Sequence, residues 1–99
     1  MPGFELFGEE EKKQVNEVLE TGILMRYGFD GPRNGMWKSK ELEAAVCSTF
    51  GSQYAQLTSS GTAALTTAMA ALGVGAGDEV IMPAFTFVAS FEAIFSMGA

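Results

Sequence analysis

Apolar positions recur along this chain in changing rhythms. Between Gly8 and Gly22, Val15, Val18 and Leu19 fall at i, i+3 and i+4, the spacing of one helix face. Glu9, Glu10 and Glu11 sit where the first turn would be, and carboxylates there suit the positive end of the helix dipole. Gly22 supplies a stop. A second helix is predicted from Ser39, as N-cap, to Gly51, with Leu42, Ala45, Val46 and Phe50 on its buried face. From Tyr54 the pattern changes. Residues 54–58, YAQLT, read as a short strand, and GTAALTTAMAAL over 61–72 reads as a helix whose small side chains let it lie close to a sheet. Gly73, Gly75 and Gly77 make the turn after it. Residues 79–82, EVIM, read as a second strand stopped by Pro83. Phe87 to Met97 reads as a third apolar helix, entered through Thr86, with Val88, Phe91 and Phe95 on one face. Strand, helix, strand, helix in that order predicts a βαβ unit and an α/β fold.

Between the first two helices lies ILMRYGFDGPRNGMWK, residues 23–38, where Gly28, Gly31, Pro32 and Gly35 mark a loop. Arg26, Tyr27, Phe29, Arg33 and Trp37 alternate cations with aromatics and follow neither helical nor strand spacing. Two readings stand side by side: a loop pinned by aromatic packing, or a substrate or subunit-contact loop whose guanidinium groups take a carboxylate or phosphate.

Composition narrows the functions. The chain has 99 residues, enough for one small domain, and 47% of them are hydrophobic. A domain of this size buries only about 60–65% of its unfolded surface, so some of that apolar surface is expected to meet something outside the chain. The net charge is −6, and no Lys or Arg follows Lys40. That distribution argues against a nucleic-acid surface, which needs clustered cations to displace counterions, and against a polybasic membrane patch. No apolar run approaches the ~20 residues of a membrane span. The N-terminus lacks the basic start of a signal peptide, so a cytoplasmic location is the default expectation. Cys47 is the single cysteine and histidine is absent, which removes the commonest general base and metal ligand. Cys47 therefore reads as a packing residue, and no metal site is expected.

The candidate chemistry centres on TSSGTAAL, residues 58–65. In α/β proteins ligands bind beyond the carboxyl ends of strands, where the following helices begin. Gly61 admits close backbone approach, Ser59, Ser60 and Thr62 offer hydroxyls, and the first-turn N–H groups lack intrahelical partners. Such a place can seat a phosphate, or the hydroxyls can simply cap the helix. No G-x-G-x-x-G or G-K-[ST] pattern accompanies it. MPAFTFVAS, residues 82–90, puts Phe85 and Phe87 at the end of the second predicted strand. Either ring could stack on a planar cofactor, or both could be core.

Three segments in order, FGEEEKKQVNEVLETG, KELEAAVCSTFGSQYAQLTSSGTAAL and ALGVGAGDEVIMPAFTFVASFEAI, resemble the N-terminal quarter of the DegT/DnrJ/EryC1/StrS sugar aminotransferases, of pyridoxal-phosphate fold type I. The resemblance covers nearly the whole chain. It implies an N-terminal helix and substrate or interface loop over 1–38, then the incomplete start of the pyridoxal-phosphate-binding large domain over 39–99. It implies that Ser60, Gly61, Thr62 and Ala63 bind the phosphate of pyridoxal 5′-phosphate and that Phe87 stacks on its pyridine ring. It implies transfer of an amino group, usually from glutamate, to a keto or aldehyde carbon of a sugar, in a homodimer with interfacial active sites. The loop over 26–38 looks more like the subgroup making 8-amino-3,8-dideoxy-octulosonate for lipopolysaccharide, whose carboxylate would give Arg26 or Arg33 a partner, with Tyr27 beside them. The family's Schiff-base lysine matches none of Lys12, Lys13, Lys38 or Lys40 and is expected beyond residue 99, so no catalytic residue is assigned here. In the family's sheet the two strands predicted here are not neighbours. A sugar dehydratase of the same family, and a non-catalytic phosphate-binding α/β module complete at this length, are the alternative functions.

Overall fold

A computed structural model describes residues 3–99 as two compact units, Met1–Ala55 and Gln56–Ala99. Each is built around a pair of helices. In the first unit a single 3₁₀ turn, Phe4–Leu6, leads to helix α1, Glu9–Thr21; helix α2, Lys38–Phe50, follows the long loop. In the second, α3 spans Gly61–Ala71 and α4 spans Ala89–Ser96.

The ends of α1 are set by local chemistry. The Gly8 N–H donates to Glu11 Oε2 at 2.7 Å, so the Glu11 side chain closes the turn that Gly8, lacking a side chain, cannot cap itself. That bond holds the Glu11 carboxyl below its ordinary pKa. Gly22 ends the helix in the left-handed region, φ 65°, and its N–H returns to the Val18 and Leu19 carbonyls. Helix α2 differs from expectation at its start. Trp37, not Ser39, is the N-cap, and the Glu41 carboxylate reaches back to the Trp37 N–H at 3.3 Å, leaving Ser39 inside the first turn.

The apolar stripes of α1 and α2 point as predicted but bury little. Val15, Val18 and Leu19 stand across a groove of about 630 Å³ from Leu42 and Ala45. Leu42 is exposed and Phe50 is 78% exposed, so the anticipated buried face of α2 is not a core. What links the elements is charge: Lys38 on α2 bonds Glu17 on α1 at 2.7 Å, and Arg26 in the loop bonds Glu43 on α2 at 2.8 Å.

The second unit has a small apolar centre. Helices α3 and α4 pack together, and the only buried hydrophobic residues among those described are Ala89 and Ala93. Alanine is the reason for the close fit, since it brings helix backbones together without losing side-chain entropy. Phe91 and Phe95 stack at 5.8 Å between centroids on a more exposed face of α4. That helix starts at Ala89, later than predicted, and Thr86 meets Ser90 hydroxyl to hydroxyl at 2.9 Å just before it. Helix α3 closes with a Schellman motif. The Gly73 N–H donates to Ala70 O, the Val74 N–H to Met69 O, and Gly73 takes φ 79°.

No β-strand occurs among the described residues. Residues 54–58 and 79–82, predicted as strands, form no ladder, so the α/β architecture is not formed among the described residues. A strand is completed by the backbone of its neighbour, and neither segment pairs with the other. Their side chains still carry strand-like information. Val80 and Met82 are half-buried, and Ile81 between them is 99% exposed. Gln56 and Thr58 lie against Ala64, Thr67, Ala68 and Ala71, whereas Val80 and Met82 lie against Leu65 and Met69.

The Lys38–Glu17 bond depresses the Glu17 pKa and raises that of Lys38. A depressed carboxylate stabilises the fold above its unfolded pKa and loses that contribution as pH falls through the folded value; a raised lysine loses its own as pH rises through the folded value. Anchoring of α1 to α2 is therefore strongest between the carboxylate and lysine ranges. In Lys38→Met the Glu17 titration, followed by carboxyl carbon NMR, is expected to move upward; an unmoved midpoint would show that the pair does not form.

Candidate functional site

The N-terminus of α3 is the best-formed site in the second unit. Ser60 is the N-cap with extended backbone, φ −162° and ψ 164°, and its Oγ accepts the Ala63 N–H at 3.1 Å. The Ser60 carbonyl accepts the Ala64 N–H at 3.0 Å and the Thr58 hydroxyl at 2.9 Å, so this residue is fixed from three sides. The cap uses one of the first-turn donors. The Gly61 and Thr62 N–H groups have no acceptor among the described residues, nor have the Ser59 and Thr62 hydroxyls, while Ser59, Ser60 and Gly61 are exposed. A Cβ built on Gly61 would meet nothing within 4 Å. The space above the turn is open.

These groups fit the phosphate of pyridoxal 5′-phosphate: free N–H donors on a helix axis, two free hydroxyls and room for a tetrahedral anion. The seat is neutral. Of the predicted phosphate residues, Ser60 is committed to the cap, Ala63 donates to it, and Gly61 and Thr62 hold the spare donors. Phe87 precedes α4 and accepts the Ser90 N–H through its carbonyl at 3.1 Å. Its ring is 78% exposed, and that of Phe85 wholly so. Neither is a core residue in this structure, which leaves their faces free for stacking.

The loop residues belong to the first unit, and the structure separates them. Tyr27 is exposed. Arg26 bonds the buried Glu43 through Nη2, and that bond raises the guanidinium pKa. Arg33 is buried and has no carboxylate partner. Its Nε donates to Gly28 O at 3.0 Å, its head lies 4.2 Å from the Trp37 ring centroid, and its Nη2 donates to nothing. Around it the backbone is wound tightly. The Arg33 N–H returns to Phe29 O at 3.0 Å, and Phe29 and Asn34 both hold positive φ, 61° and 50°. Left-handed backbone is uncommon outside glycine and is strained for a phenylalanine. Glu43 and Glu17 were not foreseen as partners; they lie 17 and 21 positions from Arg26 and Lys38, beyond any local spacing signal.

None of the lysines stands by the phosphate seat in sequence or in unit. Lys12 bonds Glu9 at 2.7 Å, Lys38 bonds Glu17, and Lys40 sits 3.8 Å from the Trp37 ring centroid. Cys47 is free and half-buried on α2. Among the described residues there is no cluster of metal-ligating side chains and no helix long and apolar enough to cross a membrane.

Residues 6–99 match the DegT/DnrJ/EryC1/StrS aminotransferase family, and the chain belongs to it. Members of that family are pyridoxal-phosphate-dependent aminotransferases that modify sugars.

Removing the cap isolates its contribution to the seat. Ser60→Ala is expected to destabilise the first turn of α3 by about 1 kcal/mol and Ser60→Gly by only a few tenths. Amide exchange at Ala63 measures both; exchange in Ser60→Ala and Ser60→Gly as slow as in the parent sequence would mean that Ser60 Oγ is not the cap.

Proposed function

We propose that this chain contributes the cofactor-phosphate seat of an enzyme that moves an amino group from glutamate to the keto or aldehyde carbon of a sugar. The observation that carries the proposal is the pair of unsatisfied N–H groups at Gly61 and Thr62 beside a cap that is already complete. Pyridoxal 5′-phosphate, when bound, would supply the electron sink that amino transfer requires. Gly61 and Thr62 would hold its phosphate through their spare N–H groups, Ser60 and Ala63 would form the cap that presents them, and Phe87 would cover one face of its ring. The lysine for the covalent chemistry and the acid for the pyridine nitrogen match no position among these 99 residues, and in the family's pattern both would lie beyond residue 99. We take the acceptor to be a sugar acid of the 8-amino-3,8-dideoxy-octulosonate type, made for lipopolysaccharide, with the loop bearing Arg26, Tyr27 and Arg33 on the acceptor side. The working form would be a cytoplasmic homodimer. Exposed apolar side chains such as Ile81 and Phe85 support burial of this surface against further protein.

Gly61→Pro tests the seat directly. Ser60 already has the extended backbone that a following proline requires, and proline is favoured at the first helical position. The variant keeps α3 and deletes one N–H. Pyridoxal 5′-phosphate affinity is expected to fall about tenfold, the loss of one charge-assisted hydrogen bond, with helical circular dichroism unchanged. In the parent sequence the cofactor should slow Thr62 amide exchange, and pyridoxal without its phosphate should not. Equal protection by both would remove the phosphate from this place. Amino transfer from glutamate to a sugar-acid carbonyl, assayed in the complete enzyme with 2-oxoglutarate as readout, tests the reaction itself.

A further inference from the structure

A cavity of about 250 Å³ in the first unit is lined by Thr21, Arg26, Arg33, Lys38 and Ser39 together with aliphatic side chains. Three of these residues are cationic, and two are spoken for, Arg26 by Glu43 and Lys38 by Glu17. Arg33 is the exception. It is 6% exposed, no carboxylate pairs with it, and its Nη2 has no hydrogen-bond partner. A buried guanidinium with an idle donor is a costly arrangement that an incoming anion relieves. The strained turn at Phe29 and Asn34 holds it in place.

We propose that this cavity is a carboxylate-binding pocket anchored by Arg33, with Arg26 a strut that positions the loop and does not touch the ligand. The planar guanidinium matches a carboxylate through two parallel N–H···O bonds. Nη2 is closed to water in this conformation, so the head turns from Gly28 O into the cavity, exchanging one hydrogen bond to an uncharged carbonyl for two to a carboxylate. The Thr21 and Ser39 hydroxyls stand in the same lining. The occupant's identity as the sugar acid's carboxylate rests on the function proposed above; the pocket does not.

The test uses the whole ¹⁵N-labelled chain without cofactor, titrated with sodium acetate, inorganic phosphate and sodium chloride at matched ionic strength. Acetate is expected to shift the Arg33 Nε–H resonance saturably and leave that of Arg26 in place. Arg33→Met should weaken acetate binding at least tenfold. Arg33→Lys, which keeps the charge if the methionine variant unfolds, should do nearly as much because it lacks the fork. No saturable Arg33 shift, an equal shift with chloride, tighter binding of phosphate than of acetate, or full binding by Arg33→Lys would each overturn the assignment. Because no pyridoxal 5′-phosphate is present, failure here leaves the α3 seat standing, and failure at Gly61 leaves this pocket standing.

Discussion

In the first unit the two residues most withdrawn from water, Arg33 and Glu43, are both charged. Everything around them follows from that constraint. Glu43 needs a cation and recruits Arg26, which ties the loop to α2; Lys38 at the start of the same helix ties α2 to α1. The apolar stripes of α1 and α2 orient the helices but leave an open groove between them. Ion pairs that are partly exposed contribute little to stability, and their value here is geometric. They decide which face of α2 meets the loop and which guanidinium remains unpaired.

The second unit solves the packing problem differently. It has no ionic cross-links; its helices meet through alanines, and its longer apolar side chains stay outside. The residues on the two predicted strands lie along α3 in separate rows, Gln56 and Thr58 on one side, Val80 and Met82 on the other. That is how two non-adjacent strands would straddle one helix. The alternation of half-buried and exposed positions over 80–82 is already that of a sheet face, without the sheet.

Local signals in the sequence were legible and long-range ones were not. The stops at Gly22 and Gly51, the start of α3 at Gly61 and the turn after Leu72 each depend on neighbours within a few residues, and each lies where the sequence placed it. The start of α2 was misplaced because the helix begins at Lys38, with Trp37 in the capping position and its N–H donating to the Glu41 carboxylate, and Trp37 is not a residue type that marks a cap. The strands failed for a deeper reason: a strand is a relation between segments, and 54–58 and 79–82 have no relation to each other. Likewise Arg26 and Arg33 looked equivalent in the loop. Only the pairing of Arg26 with Glu43 separates a strut from an available cation.

The seat at α3 carries one further consequence. From Ala55 to Gly77 the chain contains no ionisable side chain, so every donor at the helix start is an N–H or a hydroxyl that keeps its proton across the physiological range. A phosphate bound there, as proposed, would meet no titrating side chain from this segment. The pH dependence of that contact would come from the ligand, whose second ionisation falls near pH ~6, with the segment acting as a fixed field.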